Sequence, residues 1–286
     1  MDDSVCLSVE HSLITKYKKT IFHRFIGAIK DYRLIQRGDK IAVCISGGKD
    51  SMLLAKLMQE LAIHGDFPFE MEFIAMDPGY SPQNRQRLME NAALLHIPLH
   101  IFDTDIFSSV QHIEKNPCYL CARMRRGHLY KQAQQLGCNK IALGHHFDDV
   151  VETILMGMLY GAQVQTMMPR IHSTNYPGME LIRPMYTVRE KDILSWQRYN
   201  HLQFLRCACR FTEQMEEGDG VGDSKRQEIK RLIADMKKTN PQVDINIFRS
   251  VERVNLSTII GYHFEGEEHS FLEWFDDGGK EPLHEV

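Results

Sequence analysis

Four cysteines, two aspartates and an arginine pair are the residues here whose types and spacing can do chemistry. Cys118-Tyr119-Leu120-Cys121 follows Asn116-Pro117 at the expected start of a helix, so two thiolates can converge on one ion or cluster. Such a pair serves zinc, an iron–sulfur cluster or a redox dithiol. No thioredoxin-like pattern accompanies it, which weighs against the dithiol. Cys207-Ala208-Cys209 follows much later in the chain. C-x-C closes a tetrahedron of four thiolates around one small ion poorly, whereas three thiolates on a [4Fe–4S] cluster leave one iron open. Spacing alone leaves cluster, zinc and ordinary buried cysteines all standing. Cys6, Cys44 and Cys138 read as core residues. Asp148 and Asp149 follow His145-His146-Phe147 at an expected strand end. One carboxylate can coordinate Mg²⁺ or manage a proton, with Asp149 the better candidate, while the other caps a helix. Arg125 lies four residues after Cys121, one helical turn on, and either stabilises a developing anion or contacts a phosphate.

These groups must be positioned by a scaffold, and its clearest element is the run Ile41-Ala42-Val43-Cys44-Ile45 leading into Ser46-Gly47-Gly48-Lys49-Asp50-Ser51 and then Met52-Leu53-Leu54. A buried strand that ends in a glycine-rich turn and opens a helix builds a nest for phosphate: backbone N–H groups approach the anion, and the helix N-terminus adds about half a positive charge. The spacing is neither the Walker pattern nor the dinucleotide fingerprint. Ser46, Gly47, Gly48, Asp50 and Ser51 are expected to hold the pyrophosphate end of a nucleotide. Asp50 would repel phosphate, so it is assigned to Mg²⁺ or to orienting the turn, with Lys49 pointing away.

Further strands are expected at 71–76, 98–102 and 140–143, with helices near 50–63, 82–95 and 119–136. Alternation with nearly continuous apolar strands predicts an α/β fold with a doubly wound parallel sheet. Ligands in such folds sit at the carboxyl ends of strands, so the turn at 46–51, Asp77-Pro78-Gly79 and Gly144-His145-His146 should share one crevice. Residues 12–36 read as one amphipathic basic helix, 169–184 as a loop with a short strand at Leu181-Ile182-Arg183-Pro184, and about 190–201 and 224–238 as helices. The segment 216–223 reads as an acidic linker and the last twenty residues as poorly ordered. The expected division is 1–38 as an N-terminal helical segment, 39–215 as a nucleotide-binding and catalytic domain, and 216–286 as a C-terminal helix with an acidic tail.

The chain has 286 residues, enough for a full core, and a net charge of −4. From Glu265 onward there are eight acidic residues against Lys280 alone, a balance of −7 that leaves +3 for the rest. Basic clusters occur around Lys16–Arg24, Arg123–Lys131 and Lys225–Lys238; each reads as a solvated helix face or as a phosphate contact, so composition permits an RNA partner. No apolar run approaches a membrane span, the start is unlike a signal peptide, and the odd total of seven cysteines disfavours a disulfide framework. A cytoplasmic location without membrane is expected.

The turn Ser46–Ser51 resembles the S-G-G-x-D-S pyrophosphate loop of enzymes that split ATP into AMP and pyrophosphate. With Pro117–Gly127, Leu143-Gly144-His145-His146-Phe147-Asp148-Asp149, Arg183-Pro184-Met185 and Arg189-Glu190-Lys191-Asp192-Ile193 in that order, the chain resembles the tRNA 2-thiocytidine synthetase family over residues 20–210. The resemblance implies an adenine nucleotide alpha hydrolase-like fold of PP-loop type. It also implies a sulfurtransferase that adenylates the C2 oxygen of cytidine 32 in tRNA and replaces it with sulfur. ATP, Mg²⁺ and a [4Fe–4S] cluster are the implied cofactors, with Cys118 and Cys121 as ligands. Cys207-Ala208-Cys209 stands where relatives show C-x-x-C, so the third ligand is Cys207 or, in its place, Cys209. By the same resemblance Met76, Asp77 and Gly144 meet the nucleotide, although Asp77 is equally suited to capping the next turn. A sulfur donor such as a cysteine desulfurase or sulfide is implied, as is a homodimer. Two other readings compete: a PP-loop ligase or thiolase on another nucleotide or small molecule, with zinc-bound cysteines, and a non-catalytic nucleotide or cluster sensor.

Overall fold

The computed structural model describes residues 3–104, 117–205 and 225–275, the side chains of 117–123 and 274 excepted. Its centre is a six-stranded sheet in the order β3-β2-β1-β4-β6-β5. The strands are β1 (Lys40–Cys44), β2 (Glu70–Asp77), β3 (Leu99–Asp103), β4 (Lys140–Ala142), β5 (Arg170–His172) and β6 (Glu180–Ile182). All pairs are parallel except β5 with β6. The strand order reverses at β1/β4, the crevice where nucleotides bind in open α/β sheets.

Alternation along the strands produces two cores, because successive side chains face opposite sides of a sheet. Ile41, Val43, Phe73 and Ala75 join one core with the helices α3 (Lys49–His64) and α4 (Pro82–Leu94). Ala42, Cys44, Ile74 and Ile141 join another with Tyr130 and Ala133 of α5 (Pro117–Gln135). A third core, containing Phe147, Val150, Val151, Ile154, Tyr186 and Phe248, joins α6 (Phe147–Gly161) to later helices. Those are α8 (Lys225–Thr239), through Ile233, and α9 (Val243–Ser250), whereas the preceding helix α7 (Glu190–Tyr199) packs into the first core through Ile193 and Trp196. A two-stranded hairpin, β7 (Gly261–Phe264) and β8 (Glu267–Ser270), and a short helix α10 (Leu272–Phe275) complete the described chain.

Three expectations change. The single helix expected at 12–36 is α1 (Asp3–Ile14), a π-helical turn (Lys18–Phe22) and α2 (His23–Asp31). The break comes from wide i→i−5 bonds, Tyr17 N to Ser12 O and Phe22 N to Tyr17 O, which rotate the apolar stripe so that Leu13, Tyr17, Ile21 and Phe25 all reach the core. The loop expected at 169–184 contains an additional strand, β5, held by the Arg170–Glu180 pair at 2.6 Å. Residues 267–275 of the expected disordered tail form β8 and α10; residues 276–286 and the linker 216–223 lie outside the described residues.

The N-terminal helix is tied to α3 by a buried ion pair. Lys56, 0% exposed, reaches Glu10 at 2.6 Å, Gln59 at 2.7 Å, the Leu95 carbonyl at 3.0 Å and the Cys6 sulfur at 3.4 Å. Beside the start of β1, Lys140 reaches Asp39 at 2.6 Å and the Leu34 carbonyl at 3.1 Å. Among the described residues no helix is long and apolar enough to cross a membrane.

Candidate active site

Chain reversal at the end of β1 needs Gly47, whose φ is +86°. A Cβ there would also lie 2.6 Å from Leu205 Cδ1. Leu205 N donates to the Gly47 carbonyl at 3.1 Å, so the segment after α7 is stitched onto the turn. Gly48 is the extended N-cap of α3. Ser51 locks the turn internally: its Oγ accepts from Ser46 N at 3.1 Å and donates to the Gly48 carbonyl at 3.0 Å, and Ser46 Oγ lies 3.2 Å from it. Gly144, after β4, allows the adjacent chain to close in, because a Cβ there would lie 3.1 Å from Asp50 C and Ser51 N.

Around this turn lies a cavity of about 510 Å³, lined by Ser46, Asp50, Ser51, Met76, Tyr80, Arg125, Arg126, Gly144, His145, Asp149, Met167 and Arg183, among others. The expected convergence of the ends of β1, β2 and β4 is present. Asp77 is the exception. Its Oδ1 accepts from Gly79 N at 2.8 Å and Tyr80 N at 2.7 Å, and Oδ2 takes Arg85 at 2.7 Å, so the carboxylate caps its own turn and does not line the cavity.

Asp50 and Asp149 face each other across His146, with His146 Nε2 3.7 Å from Asp50 Oδ1 and Nδ1 3.5 Å from Asp149 Oδ2. Asp50 Oδ1 is buried without a hydrogen-bond partner, while Oδ2 takes Lys49 at 3.0 Å. Burial raises the Asp50 carboxyl above its usual range, opposed by Lys49 and His146. Lys49 points away as expected, towards Glu190 at 3.2 Å. Asp149 Oδ2 accepts His146 N at 3.0 Å in capping the start of α6, and Oδ1 takes Arg226 at 3.2 Å. Asp148 turns from the cavity and accepts Glu190 N at 2.7 Å.

Sequence reasoning gave no individual role to Arg183, read Arg126 only as part of a basic cluster, and kept His145 and His146 as secondary candidates, more often packing or hydrogen-bonding groups than ligands. Arg183 is buried, with Nη1 on the Met168 carbonyl and Nε unpartnered. Burial first, then Arg126, lowers its pKa to about 10, so it stays cationic at neutral pH. Burial and Arg183 push His145 down to about 4, which leaves a neutral imidazole whose Nδ1 has no hydrogen-bond partner. The histidine pair was expected at the shared crevice and Arg183-Pro184 was visible as a motif; that Arg183 lines the same cavity as His145 was not foreseen.

Phosphate fits this site: amides of a positive-φ turn, a helix N-terminus and three arginines surround it. Mg²⁺ fits Asp50 and Asp149, since that ion takes one or two carboxylates and completes its shell with phosphate and water. Among the described residues no group of three potential ligands could hold a metal ion by itself. For the cluster, α5 places positions 118 and 121 on the helical stripe that continues to Arg125, which lines the cavity. Cys207 and Cys209 lie outside the described residues.

The PP-loop domain family matches residues 16–209. The tRNA-cytidine(32) 2-sulfurtransferase of Coxiella burnetii (strain RSA 493) is 34% identical over 256 residues, covering 86% of this chain and 94% of that one. That of Geobacter sulfurreducens is 33% identical over 243 residues, covering 84% and 91%. Among solved structures, the U34-tRNA thiolase NcsA from Methanococcus maripaludis, described with its [4Fe-4S] cluster, superposes with a TM-score of 0.63 at 20% identity, covering 84% of this chain and 82% of that one. That likeness bears on the fold. With that identity sustained along most of its length and a PP-loop domain at its centre, the chain belongs to the tRNA-cytidine(32) 2-sulfurtransferase family.

Proposed function

We propose that this chain carries out ATP-dependent 2-thiolation of tRNA, with cytidine 32 as the nucleotide acted on. The observation that carries the reading is the single cavity in which the phosphate turn, Asp149 and the arginines of α5 meet, in a chain whose relatives bear that activity in their names. The turn 46–51 holds the phosphates of ATP, and Met76 packs against the adenosine. Asp50 and Asp149 hold Mg²⁺. The C2 oxygen of the base attacks the α-phosphorus, and pyrophosphate leaves. Sulfur at the sulfide level (sulfide itself, or persulfide sulfur already reduced by two thiol electrons) then attacks C2, and the oxygen departs with AMP. A carbonyl oxygen is a poor leaving group and a phosphate ester a good one, which is why ATP is needed. Arg125, Arg126 and Arg183 offset the charge that builds on the phosphates in both steps. A [4Fe–4S] cluster, held by Cys118, Cys121 and Cys207 or Cys209, would supply an iron free of protein thiolate at which sulfur from a cysteine desulfurase or sulfide is presented. A homodimer completes the reading by likeness to the family.

Anaerobically purified protein tests it. About four irons and four sulfides per chain with absorption near 400 nm are expected for the cluster, together with 2-thiocytidine in tRNA incubated with ATP and a sulfur source. Cys118→Ser and Cys121→Ser should abolish iron binding, and only one of Cys207→Ser and Cys209→Ser should do so. One zinc and no colour would move the reading to a zinc-dependent ligase or thiolase.

A further inference from the structure

We propose that Arg226 and Lys230 of α8 are positioning residues of the ATP site, holding Asp149 and Asp50 in register through a series of alternating charges. The inference rests on the thiolation reading and concerns residues beyond the stretch matched by the PP-loop domain family, which ends at 209. The series runs from one cavity carboxylate to the other. Asp149 Oδ1 takes Arg226 Nη1 at 3.2 Å, and Arg226 Nε lies 3.4 Å from Glu152 Oε2. Glu152 Oε1 lies 3.6 Å from Lys230, which reaches Glu190 Oε2 at 3.1 Å. Glu190 Oε1 takes Lys49 at 3.2 Å, and Lys49 takes Asp50 at 3.0 Å. His146 lies between the two aspartates, 3.7 Å from Asp50 and 3.5 Å from Asp149.

Exposed ion pairs ordinarily contribute little. Here the cations are partly exposed, but the side chain of Glu152 is 2% exposed and that of Asp149 17%, so removing a cation strands a buried anion. The helix is also fixed in place. Ile229 is buried; Lys225 lies over the Tyr160 ring at 4.7 Å, and Lys237 reaches Asp244 at 2.6 Å. Asp244 in turn takes Arg189, which precedes α7. The helix therefore adds a second hold on Asp149, at Oδ1, beside the His146 N–H that orients Oδ2.

The test uses the full chain, with pyrophosphate release in the presence of tRNA, melting temperature, and the Mg²⁺ concentration that half-saturates binding of a non-hydrolysable ATP analogue. Arg226→Met should lower kcat by at least about tenfold with KM for ATP within about threefold, the pattern of a lost transition-state alignment. It should also raise the half-saturating Mg²⁺ concentration by about threefold or more, as a ligand carboxylate loses its orientation. Arg226→Met with Glu152→Gln should recover the melting temperature, since no buried charge is left unpaired, but neither kcat nor Mg²⁺ affinity. Arg226→Lys should recover much of both. The proposal is overturned if Arg226→Met keeps kcat and Mg²⁺ affinity within twofold of the parent, or if the double variant regains both along with stability. A parent chain that releases no pyrophosphate would overturn the thiolation reading alone, because the Mg²⁺ titration still decides the positioning role.

Discussion

At the scale of single residues, backbone geometry decides what the phosphate turn tolerates. Gly47→Ala places a Cβ at φ +86° and 2.6 Å from Leu205. The strain, on the order of 1–2 kcal/mol before any clash, has to be relieved by moving the turn. Calorimetric titration should show ATP affinity falling by about tenfold or more, a loss of roughly 1.4 kcal/mol; unchanged affinity would refute a turn shaped for phosphate. The turn was legible in sequence because its determinants are contiguous: strand, glycines, hydroxyls, helix. Asp77 was legible only as a choice between nucleotide and cap. What decides it is Arg85, eight residues on, which also pairs with Asp103 from the neighbouring strand. Arg183 is a lone cation in an apolar stretch until β6 carries it to the cavity rim, so its role depends on a strand pairing that sequence spacing does not encode.

At the scale of elements, the parallel strands were readable because strands buried on both faces are nearly continuous apolar runs. The break in the N-terminal helix was not, since Thr15–Phe22 contains no proline or glycine to mark it and the π turn is set by packing of Tyr17 and Ile21. Lys140 was equally opaque: nothing in the expected strand at 140–143 marks it, yet its side chain is 2% exposed against Asp39. Lys140→Met should destabilise the fold by about 3–5 kcal/mol, because Asp39 keeps its charge without its partner. The ATP affinity of the variant, measured well below its melting temperature, should equal the parent's, as this pair lies at the opposite end of β1 from the phosphate turn.

At the scale of the whole molecule, part of the C-terminal basic cluster is engaged within the fold. Arg226, Lys230 and Lys237 meet carboxylates of α6, α7 and α9, where sequence alone offered a solvated face or an RNA contact. Charge counts cannot foresee this, since the partners are far apart in the chain. Glu152 gives the arrangement a pH dependence. Burial raises its carboxyl to about 7, against Lys230 and Arg226. The folded state therefore binds a proton that the unfolded state has released between its ordinary value and about 7, and stability falls as pH rises through that window. Glu152→Gln should melt higher than the parent at pH 8, with the advantage shrinking steadily towards pH 5; a constant difference would refute the assignment. The Lys56 pin has a consequence for anyone who would transplant this catalytic unit. A fragment cut at residue 16, where the shared domain begins, loses Glu10, the carboxylate 2.6 Å from Lys56, and uncovers the apolar face that Val9 and Leu13 bury. The first fifteen residues are thus inherited with the core, and a graft onto another protein has to carry them or make the face they cover polar.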